Sequence, residues 1–411
     1  MPQPTVVDRP RSALGTVLRT SVYRRATASL FFAGLGISVA MPQLSLFLVE
    51  DLHASLPVAG LFFLTNLAAP VLGFAVGRWS DRLPDRLFLY RIGAVVGLLG
   101  WVLLAFATEV WMAFLINLTV LGFAGATSSL IFAAVRDQLT QVPTGADNRV
   151  MSTVRLGFSA GFMTGPIVGS VLGGVAGLRV TLITAGVCTV LQLVPMIGQQ
   201  VARAEPPRLR PGSADGDGSE ASPSLLPLAS FLGLSTLAMC GDTIRFAYLP
   251  IYMELQLGTP DWLRGVVIAA QSVGMLIFIP VMGVLADRFG AQRLVVGNVL
   301  LGVGANLGFA FAPNEVVLIS ATLLNAAMWA TLGGVGIMVA QDLYPTGIGL
   351  ASSLYFSAIR FSAAIGGIAG GLGVGWFGVP GVFVVPAALC LVSAVGLFIQ
   401  AMINHRRALL H

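Results

Sequence analysis

Apolar stretches of about 20 residues recur twelve times along this chain, and short polar segments separate them. A helix needs about 20 mostly apolar residues to cross the hydrocarbon core of a bilayer. The pattern therefore predicts an all-α integral membrane protein with twelve transmembrane helices. The predicted spans are residues 26–49, 57–77, 87–107, 111–135, 151–174, 180–200, 226–253, 263–285, 293–312, 315–339, 349–375 and 380–403.

Features of the first half recur in the second half at an offset of 206 residues. The motif Gly-x-x-x-Asp-Arg occupies residues 77–82, between the second and third spans, and residues 283–288, between the eighth and ninth. Three glycines of the fifth span have counterparts in the eleventh. The pairs are Gly161 with Gly367, Gly165 with Gly371, and Gly169 with Gly375. A duplicated six-helix unit is an architecture of transporters, so we predict two pseudo-symmetric six-helix halves.

The polar segments divide the chain into five parts. The longest of them, residues 201–224, is rich in Pro, Gly, Ser and acidic residues, which predicts a flexible linker. It separates one six-helix bundle at 26–200 from another at 225–404. We expect a cytoplasmic N-terminal tail at 1–25 and a cytoplasmic C-terminal tail at 405–411. The first apolar run is too long for the core of a cleavable signal peptide and suits a membrane helix.

The charged residues predict how the chain is oriented in the membrane. Charged residues make up 10% of the chain, whereas a soluble protein would carry about 25%. Every basic residue is Arg, and the arginines flank the apolar spans. With the N-terminus inside, 17 arginines lie on the cytoplasmic side, and only Arg179 and Arg264 lie outside. This bias predicts a multi-pass protein of the bacterial inner membrane with both termini cytoplasmic. The net charge of +5 therefore does not indicate a nucleic-acid partner.

Metal and cofactor chemistry finds no support in the sequence. The three cysteines lie inside apolar stretches, far apart in sequence, and are Cys188, Cys240 and Cys390. The three histidines lie in loops or in the C-terminal tail and are His53, His405 and His411. These spacings form no disulfide or metal pattern. We predict packing roles for the cysteines, no metal and no cofactor. An intramembrane enzyme is disfavoured because no paired carboxylates or Ser/His arrangement share a depth.

The repeated motif of Gly77, Asp81 and Arg82 resembles the loop signature of the major facilitator superfamily. Its second copy, with Gly283, Asp287 and Arg288, continues close to the family pattern, whereas the first copy departs from it after Arg82. The glycine permits close helix approach, and the aspartate can face the N-terminus of a neighbouring helix. The resemblance implies a conformational switch. The alternative is a merely charged turn.

The fifth span carries a ladder of glycines at four-residue intervals. The ladder consists of Gly161, Gly165, Gly169, Gly173 and Gly177. Such spacing makes one smooth helix face on which a partner helix can slide or pack. With Pro166, the segment resembles the GPxxGG element of antiporters of the superfamily, with Ser170 in place of the last glycine. That resemblance implies an export-linked role for Gly165 and Pro166, and static packing is the alternative.

Four short segments, in this order, look like the bacterial sugar efflux transporter family, a branch of the superfamily. They are Met41–Leu48, Ala133–Asp137, Val154–Arg155 and Gly336–Pro345. The resemblance extends from about residue 30 to residue 400. It implies the twelve-helix fold of the superfamily and proton-linked export of simple sugars and glycosides.

Ionisable side chains inside membrane spans are costly, so each is a candidate functional residue. Asp242 is the only carboxylate deep inside a predicted span, and Arg245 lies three residues further on the same helix face. We predict that Asp242 takes up a proton during transport with Arg245 beside it. The alternative is that the two residues neutralise each other and hold the helix in place. Arg155 and Arg360 are candidates for contact with the substrate.

Uncharged polar and aromatic side chains at mid-membrane depth complete the predicted substrate site. They are Gln43, Asn66, Asn117, Tyr248, Gln271, Asn325, Trp329 and Tyr355. Amides both donate and accept hydrogen bonds, which suits sugar hydroxyls, and aromatic rings can stack on the C–H faces of sugars. For any single amide, a hydrogen bond between helices is an equally good interpretation.

These features favour a secondary active transporter that works by alternating access. The expected substrate is a small polar solute, most simply a sugar or glycoside, exported with protons as the coupling ion. A multidrug/proton antiporter of the same superfamily is the first alternative. A transporter-like membrane sensor is an alternative of a different class, although the linker offers little room for a signalling domain. Apart from solute and protons, the expected partner is the lipid bilayer.

Overall fold

The structure is a computed structural model that describes residues 13–85, 87–142, 147–199, 201 and 225–410. Every regular element in these ranges is a helix. The linker predicted at 201–224 lies outside the described residues except for its first residue, as do the first twelve residues of the N-terminal tail. The division into two bundles, a linker and two tails therefore stays a prediction.

Twelve helical spans in the described part of the chain are long and apolar enough to cross a membrane, as the hydrophobic pattern predicts. A short helix at Ala13–Arg19 precedes them and was not predicted. The sixth span ends at Met196, a few residues earlier than predicted. The spans, numbered as helices 1 to 12, are Ser21–Asp51, Leu56–Ser80, Leu87–Ala105, Val110–Gln141, Arg149–Ala176, Leu178–Met196, Leu226–Leu255, Asp261–Phe289, Ala291–Ala310, Glu315–Leu343, Pro345–Gly381 and Val384–Asn404.

Helices 1, 4 and 10 are irregular within their spans, and helix 2 contains a 3-10 turn at Phe62–Leu67. Helix 1 is interrupted at Met41 and Pro42, where the proline lacks the N–H that would continue the hydrogen-bond ladder. Helix 4 contains a π-helical turn at Asn117–Leu121, and helix 10 contains one at Leu332–Gly336. Turns of this kind occur often at functional sites. Helices 4 and 10 hold the same place in their halves, but their π-helical turns start 7 and 17 residues from the first residue of each helix (117 − 110 and 332 − 315), so the two turns are not equivalent positions of the repeat.

The glycine ladder of helix 5 packs tightly against helix 1 of the same half. A Cβ added to Gly165 would lie 2.8 Å from the backbone nitrogen of Val39, and one on Gly161 would lie 2.8 Å from that of Leu35. Only glycine allows the two backbones to approach this closely. The contact is internal to one half, which favours the packing interpretation of the ladder. The export-linked role of Gly165 and Pro166 remains a prediction.

In helix 11, the glycines that correspond to the ladder of helix 5 precede the predicted ones by one residue. Gly366 and Gly370 pack against helix 7 of their own half, whereas Gly367 and Gly371 face helix 2 of the other half. Gly161 and Gly366 are 205 residues apart, so helices 5 and 11 repeat at 205, whereas the Gly-x-x-x-Asp-Arg motif repeats at 206. Pairing Gly161 with Gly367 by sequence was therefore wrong in structural terms. A shift of one residue turns a helix by about 100°, enough to change its partner.

The two halves meet at one end of the molecule, called here the closed end, where helices 1, 5, 7 and 11 finish and helices 2 and 8 begin. The Tyr248 hydroxyl donates a hydrogen bond to the carbonyl oxygen of Leu56 across the halves, at 3.0 Å. A Cβ on Gly265 would lie 2.7 Å from the carbonyl oxygen of Pro166, and one on Gly371 would lie 2.9 Å from that of Pro57. Two tight helix pairs, 5 with 8 and 2 with 11, therefore seal this end.

The halves are spread apart at the opposite end, called here the open end. A Cβ on Gly77 or on Gly283 would meet no atom within 4 Å. The close helix approach predicted for these two glycines is therefore absent in this structure. The reason is the separation of the halves, which removes the helices that such glycines would otherwise contact.

Candidate functional site

A cavity of about 340 Å³ lies between the halves, next to the closed end. Its volume is near the lower limit of small-molecule sites, roughly 300–1,000 Å³. Helices 1 and 5 of the first half and helices 7, 8 and 10 of the second half supply its walls. The lining residues are Ile37, Ser38, Met41, Pro42, Phe162, Pro166, Asp242, Arg245, Phe246, Ile268, Gln271, Ser272, Met275 and Trp329.

A hydrogen-bonded cluster of four polar side chains lies on the second-half side of the cavity. Asp242 Oδ1 accepts hydrogen bonds from Arg245 Nε at 3.3 Å and Arg245 Nη2 at 3.1 Å. The same oxygen accepts one from Gln271 Nε2 at 3.0 Å. Asn325 Nδ2 donates in turn to Gln271 Oε1 at 3.1 Å. Four candidates chosen from the sequence thus form one network across helices 7, 8 and 10.

The two charged members of this cluster differ in exposure. The side chain of Arg245 is 1% exposed, and its guanidinium lies 4.2 Å from the centre of the Phe246 ring. The side chain of Asp242 is 21% exposed and lines the cavity. A buried cation needs a partner because desolvation costs several kcal/mol per ion, roughly. Asp242 is that partner for Arg245 within helix 7, and the Asp242 side chain remains partly exposed to the cavity.

Apolar side chains line the cavity beside the polar cluster. Phe162, Phe246 and Met275 line the cavity together with Trp329. The Trp329 Nε1 atom is buried without a hydrogen-bond partner in the described residues. An indole in a cavity wall offers an apolar face and one donor. The site can therefore hold a solute with both an apolar face and polar groups.

Three predicted substrate contacts are engaged elsewhere. Gln43 Nε2 donates to Ser170 Oγ at 3.0 Å and ties helix 1 to helix 5. Tyr248 bridges the halves at the closed end. The hydroxyl of Tyr355 donates to the carbonyl oxygen of Leu332 at 2.5 Å, inside the apolar core of the second half. None of the three is among the residues that line the cavity.

Four further candidates also lie away from the cavity lining. Asn117 Nδ2 donates to Thr65 Oγ1 at 2.5 Å and joins helix 4 to helix 2. Asn66, Arg155 and Arg360 are exposed on helices 2, 5 and 11. Their roles in substrate binding remain predictions for this or another state of the protein.

The sequence reasoning missed the less polar lining residues. On helix 8, Ile268, Ser272 and Met275 share the cavity face with Gln271. A helical period of 3.6 residues counted from Gln271 would have found Ile268 and Met275, but not Ser272, which is the next residue along the chain. On helices 1 and 5, Ser38 and Phe162 carry no such signal, because most positions of those helices are apolar or small.

The two arginines predicted to lie outside both occur at the closed end. Arg179 Nε lies 3.0 Å from Asp51 Oδ2 and joins helix 6 to helix 1. Arg264 is buried and forms ion pairs with Glu254 and Asp261. Asp261 also packs against Gly174 of helix 5, so this charge cluster touches both halves.

The two copies of the Gly-x-x-x-Asp-Arg motif lie at the open end. We expect Asp81→Asn and Asp287→Asn to slow transport by about fivefold or more. Fivefold corresponds to a loss of about 1 kcal/mol, the lower limit of typical coupling free energies. Substrate affinity should change less, because neither aspartate lines the cavity and each can act only by biasing the access states. Equilibrium binding and transport rates of each variant give the comparison. An equal loss of binding and transport would contradict a switch role.

Comparisons with known proteins agree with this geometry. The family model described as Major Facilitator Superfamily matches residues 26–265 and 231–407. The chain is 27% identical to Sugar efflux transporter A of Escherichia coli (strain K12), over 93% of this chain and 96% of that protein. It is 28% identical to Multidrug resistance protein MdtG of Dickeya zeae (strain Ech586), over 89% of this chain and 90% of that protein.

A solved structure shows the same fold. The crystal structure of the nucleoside transporter NupG superimposes with a TM-score of 0.75 at 15% identity, over 93% of this chain and 99% of that chain. The matches to the family model together span both halves and nearly all of the described spans. The protein therefore belongs to the Major Facilitator Superfamily and is a multi-pass membrane transporter, not an enzyme.

Proposed function

We propose that this protein exports a sugar or glycoside in exchange for protons, by alternating access. The central cavity carries the proposal, because Asp242, Arg245 and Gln271 form one polar cluster beside Trp329. Amides and a carboxylate suit sugar hydroxyls, and an indole suits a sugar C–H face. The ion pair is neutral as a whole, which matches an uncharged solute. Similarity to a protein named Sugar efflux transporter A supports this substrate class.

The arginine distribution supports an orientation with the open end in the cytoplasm of a bacterial cell. Helix 1 begins and helix 12 ends at the open end, so both termini then lie inside, with most of the arginines. The closed end then faces the outside of the inner membrane. In this orientation the structure is an inward-facing state, ready to take solute from the cytoplasm.

Asp242 is the proposed proton carrier. Among the residues lining the cavity it is the only carboxylate, and its side chain is partly exposed there. A carboxylate at mid-membrane depth is costly unless it is paired or faces a cavity, and Asp242 has both an arginine partner and access to the cavity. Proton uptake at Asp242 would remove the negative charge that neutralises Arg245, a change that can bias the access states.

A multidrug exporter is the second candidate. The walls of the cavity formed by Phe162, Phe246, Met275 and Ile268 are apolar and aromatic. Such walls suit apolar drugs, and the similarity to a protein named Multidrug resistance protein MdtG points the same way. The same cavity therefore serves both candidates, and only transported compounds can separate them.

Uptake into inside-out vesicles tests the proposal. Labelled sugars and fluorescent dyes are offered with and without an imposed proton gradient, because export from the cell becomes uptake in this orientation. We expect gradient-dependent uptake of a sugar and little uptake of dye. Dye uptake without sugar uptake would establish the second candidate. Uptake of neither by a folded protein, under either condition, would contradict export of both substrate classes.

Alternating access also predicts a glycine effect at the closed end. Gly371→Ala should favour the state in which this end opens, because its Cβ would lie 2.9 Å from the carbonyl oxygen of Pro57. Overpacking costs about 1–3 kcal/mol, or roughly five-fold or more in the equilibrium. Spin-label distances across the closed end measure the shift. Gly375→Ala is the matched control, because its Cβ would meet Pro57 only at 3.9 Å. Equal distance distributions in both variants would contradict the prediction.

A further inference from the structure

The hydrogen bonds to Asp242 all reach the same oxygen. Arg245 Nε, Arg245 Nη2 and Gln271 Nε2 donate to Oδ1, whereas Oδ2 has no hydrogen bond within the described residues. Because Asp242 lines the cavity and is 21% exposed, Oδ2 is the oxygen left available to the cavity. The two oxygens of this carboxylate are therefore not equivalent.

The amides behind Asp242 have a fixed direction. Asn325 Nδ2 donates to Gln271 Oε1, which leaves Gln271 Nε2 pointing at Asp242. Gln271 and Asn325 are 6% and 3% exposed, so water does not compete freely for these bonds. All donors run from helix 10 through helix 8 to helix 7. An ionised carboxylate can only accept, which matches this direction.

A proton on Oδ1 would be opposed by these neighbours. It would face three N–H donors, and two of them belong to an arginine, which has no acceptor and cannot reverse its role. Gln271 could present its carbonyl oxygen to that proton only if Asn325 also rotated. Otherwise Gln271 Nε2 and Asn325 Nδ2, both donors, would face each other without an acceptor. Leaving a buried polar group without a partner costs about 1–3 kcal/mol. A proton on Oδ2 disturbs none of these bonds.

We infer that Gln271 and Asn325 are positioning residues that direct protonation of Asp242 to Oδ2. This inference rests on the proposed proton coupling at Asp242. The proton comes from water in the cavity and returns to it, so no other reactant is needed. Oδ1 keeps its three donors in both protonation states. The proton is thus loaded and released on the atom that a solute hydroxyl can also reach.

Other titratable groups on the helices packed against helix 7 face elsewhere. The Tyr355 hydroxyl of helix 11 is bonded to the carbonyl oxygen of Leu332, and Cys390 Sγ of helix 12 lies 3.6 Å from the carbonyl oxygen of Ala238. Arg360 of helix 11 is exposed and has no ion pair in the described residues. Glu50 lies in helix 1 at the closed end, and Asp342 lies in helix 10 at the open end. Arg245 is the charged group in contact with Asp242.

Infrared difference spectroscopy between acid and alkaline pH tests the inference on the full chain in liposomes. The carboxyl C=O band of Asp242 is the one that disappears in Asp242→Asn. In the wild type this band should lie at low frequency, because the carbonyl oxygen Oδ1 keeps three donors. Gln271→Leu should move it to higher frequency. Asn325→Leu should move it in the same direction by less, because Gln271 Nε2 remains but is free to rotate.

Asn298→Leu is the matched control. Asn298 is a buried amide of the same half, and its Nδ2 donates to the carbonyl oxygen of Leu294 on its own helix. The Asp242 band should not move in this variant. Size-exclusion profiles show whether each variant is folded. If one of the two test variants does not fold, the other still tests the inference.

The outcomes separate the inference from the function on which it rests. A band that is lost in Asp242→Asn but stays in place in both Gln271→Leu and Asn325→Leu would overturn the positioning role alone. A difference spectrum unchanged by Asp242→Asn would show that Asp242 does not take up the proton, and both proposals would fall. A band shifted in the two test variants and unmoved in the control supports the inference.

Discussion

Asp242→Asn is expected to reduce proton-driven accumulation of solute to background, while downhill exchange persists at a lower rate. Asp242 is the only carboxylate that lines the cavity, so an asparagine there leaves no acid to carry the proton. Exchange needs the cavity and the two access states but no net proton movement. Accumulation after a proton pulse and counterflow of labelled solute in liposomes measure the two activities separately.

The arginine partner complicates this experiment. Removing Asp242 leaves Arg245 buried at 1% exposure without its counter-ion, which costs about 3–5 kcal/mol. A folding defect could then imitate a coupling defect. The double variant Asp242→Asn with Arg245→Gln removes both charges and avoids this cost. If the folded double variant still concentrates solute on a proton pulse, Asp242 belongs to a structural ion pair and the coupling group lies elsewhere.

Gly165→Leu should abolish transport while membrane insertion remains normal. A Cβ at this position would already lie 2.8 Å from both Ser38 Cβ and the backbone nitrogen of Val39, and the longer side chain has no space between helices 1 and 5. Overpacking against backbone costs about 1–3 kcal/mol or more. Transport assays, and thermal unfolding followed by size-exclusion chromatography, measure the two consequences.

A matched substitution separates packing from the presence of leucine. Gly304→Leu in helix 9 introduces the same side chain where an added Cβ would meet nothing within 4 Å. This variant should keep transport and unfold at the wild-type temperature. Wild-type transport and stability in Gly165→Leu would show that helices 1 and 5 are not packed at this glycine.

The sequence is sufficient for the twelve helices because each one must be apolar over the thickness of a bilayer. It also identified the polar cluster, because Asp242, Arg245, Gln271 and Asn325 are conspicuous in apolar spans. Depth alone could not decide which candidates meet. Gln43 and Tyr355 lie at suitable depths in the sequence, yet rotation about the helix axis turns their side chains towards helices of their own half.

Helix 11 shows the other limit of the sequence. Its glycines are so frequent that a repeat at 206 residues and one at 205 both find matches, and only the packing against helix 7 decides between them. The separation of the halves at the open end is likewise not encoded in any local pattern. In the proposed alternating access, this separation would belong to one of the two access states.

The unequal glycine contacts at the closed end mean that the two halves are no longer interchangeable copies. Gly60 and Gly265 are 205 residues apart and lie at the same place in helices 2 and 8. The residues that they contact across the halves differ, because Gly60 packs against Gly371 and Gly265 packs against Pro166. A tandem protein built from two first halves would carry the proline in both contacts and lose the close glycine pair. One built from two second halves would lose Pro166 from the cavity wall. Each half is therefore a specific partner of the other, so a second copy of one half should not rescue damage to the other.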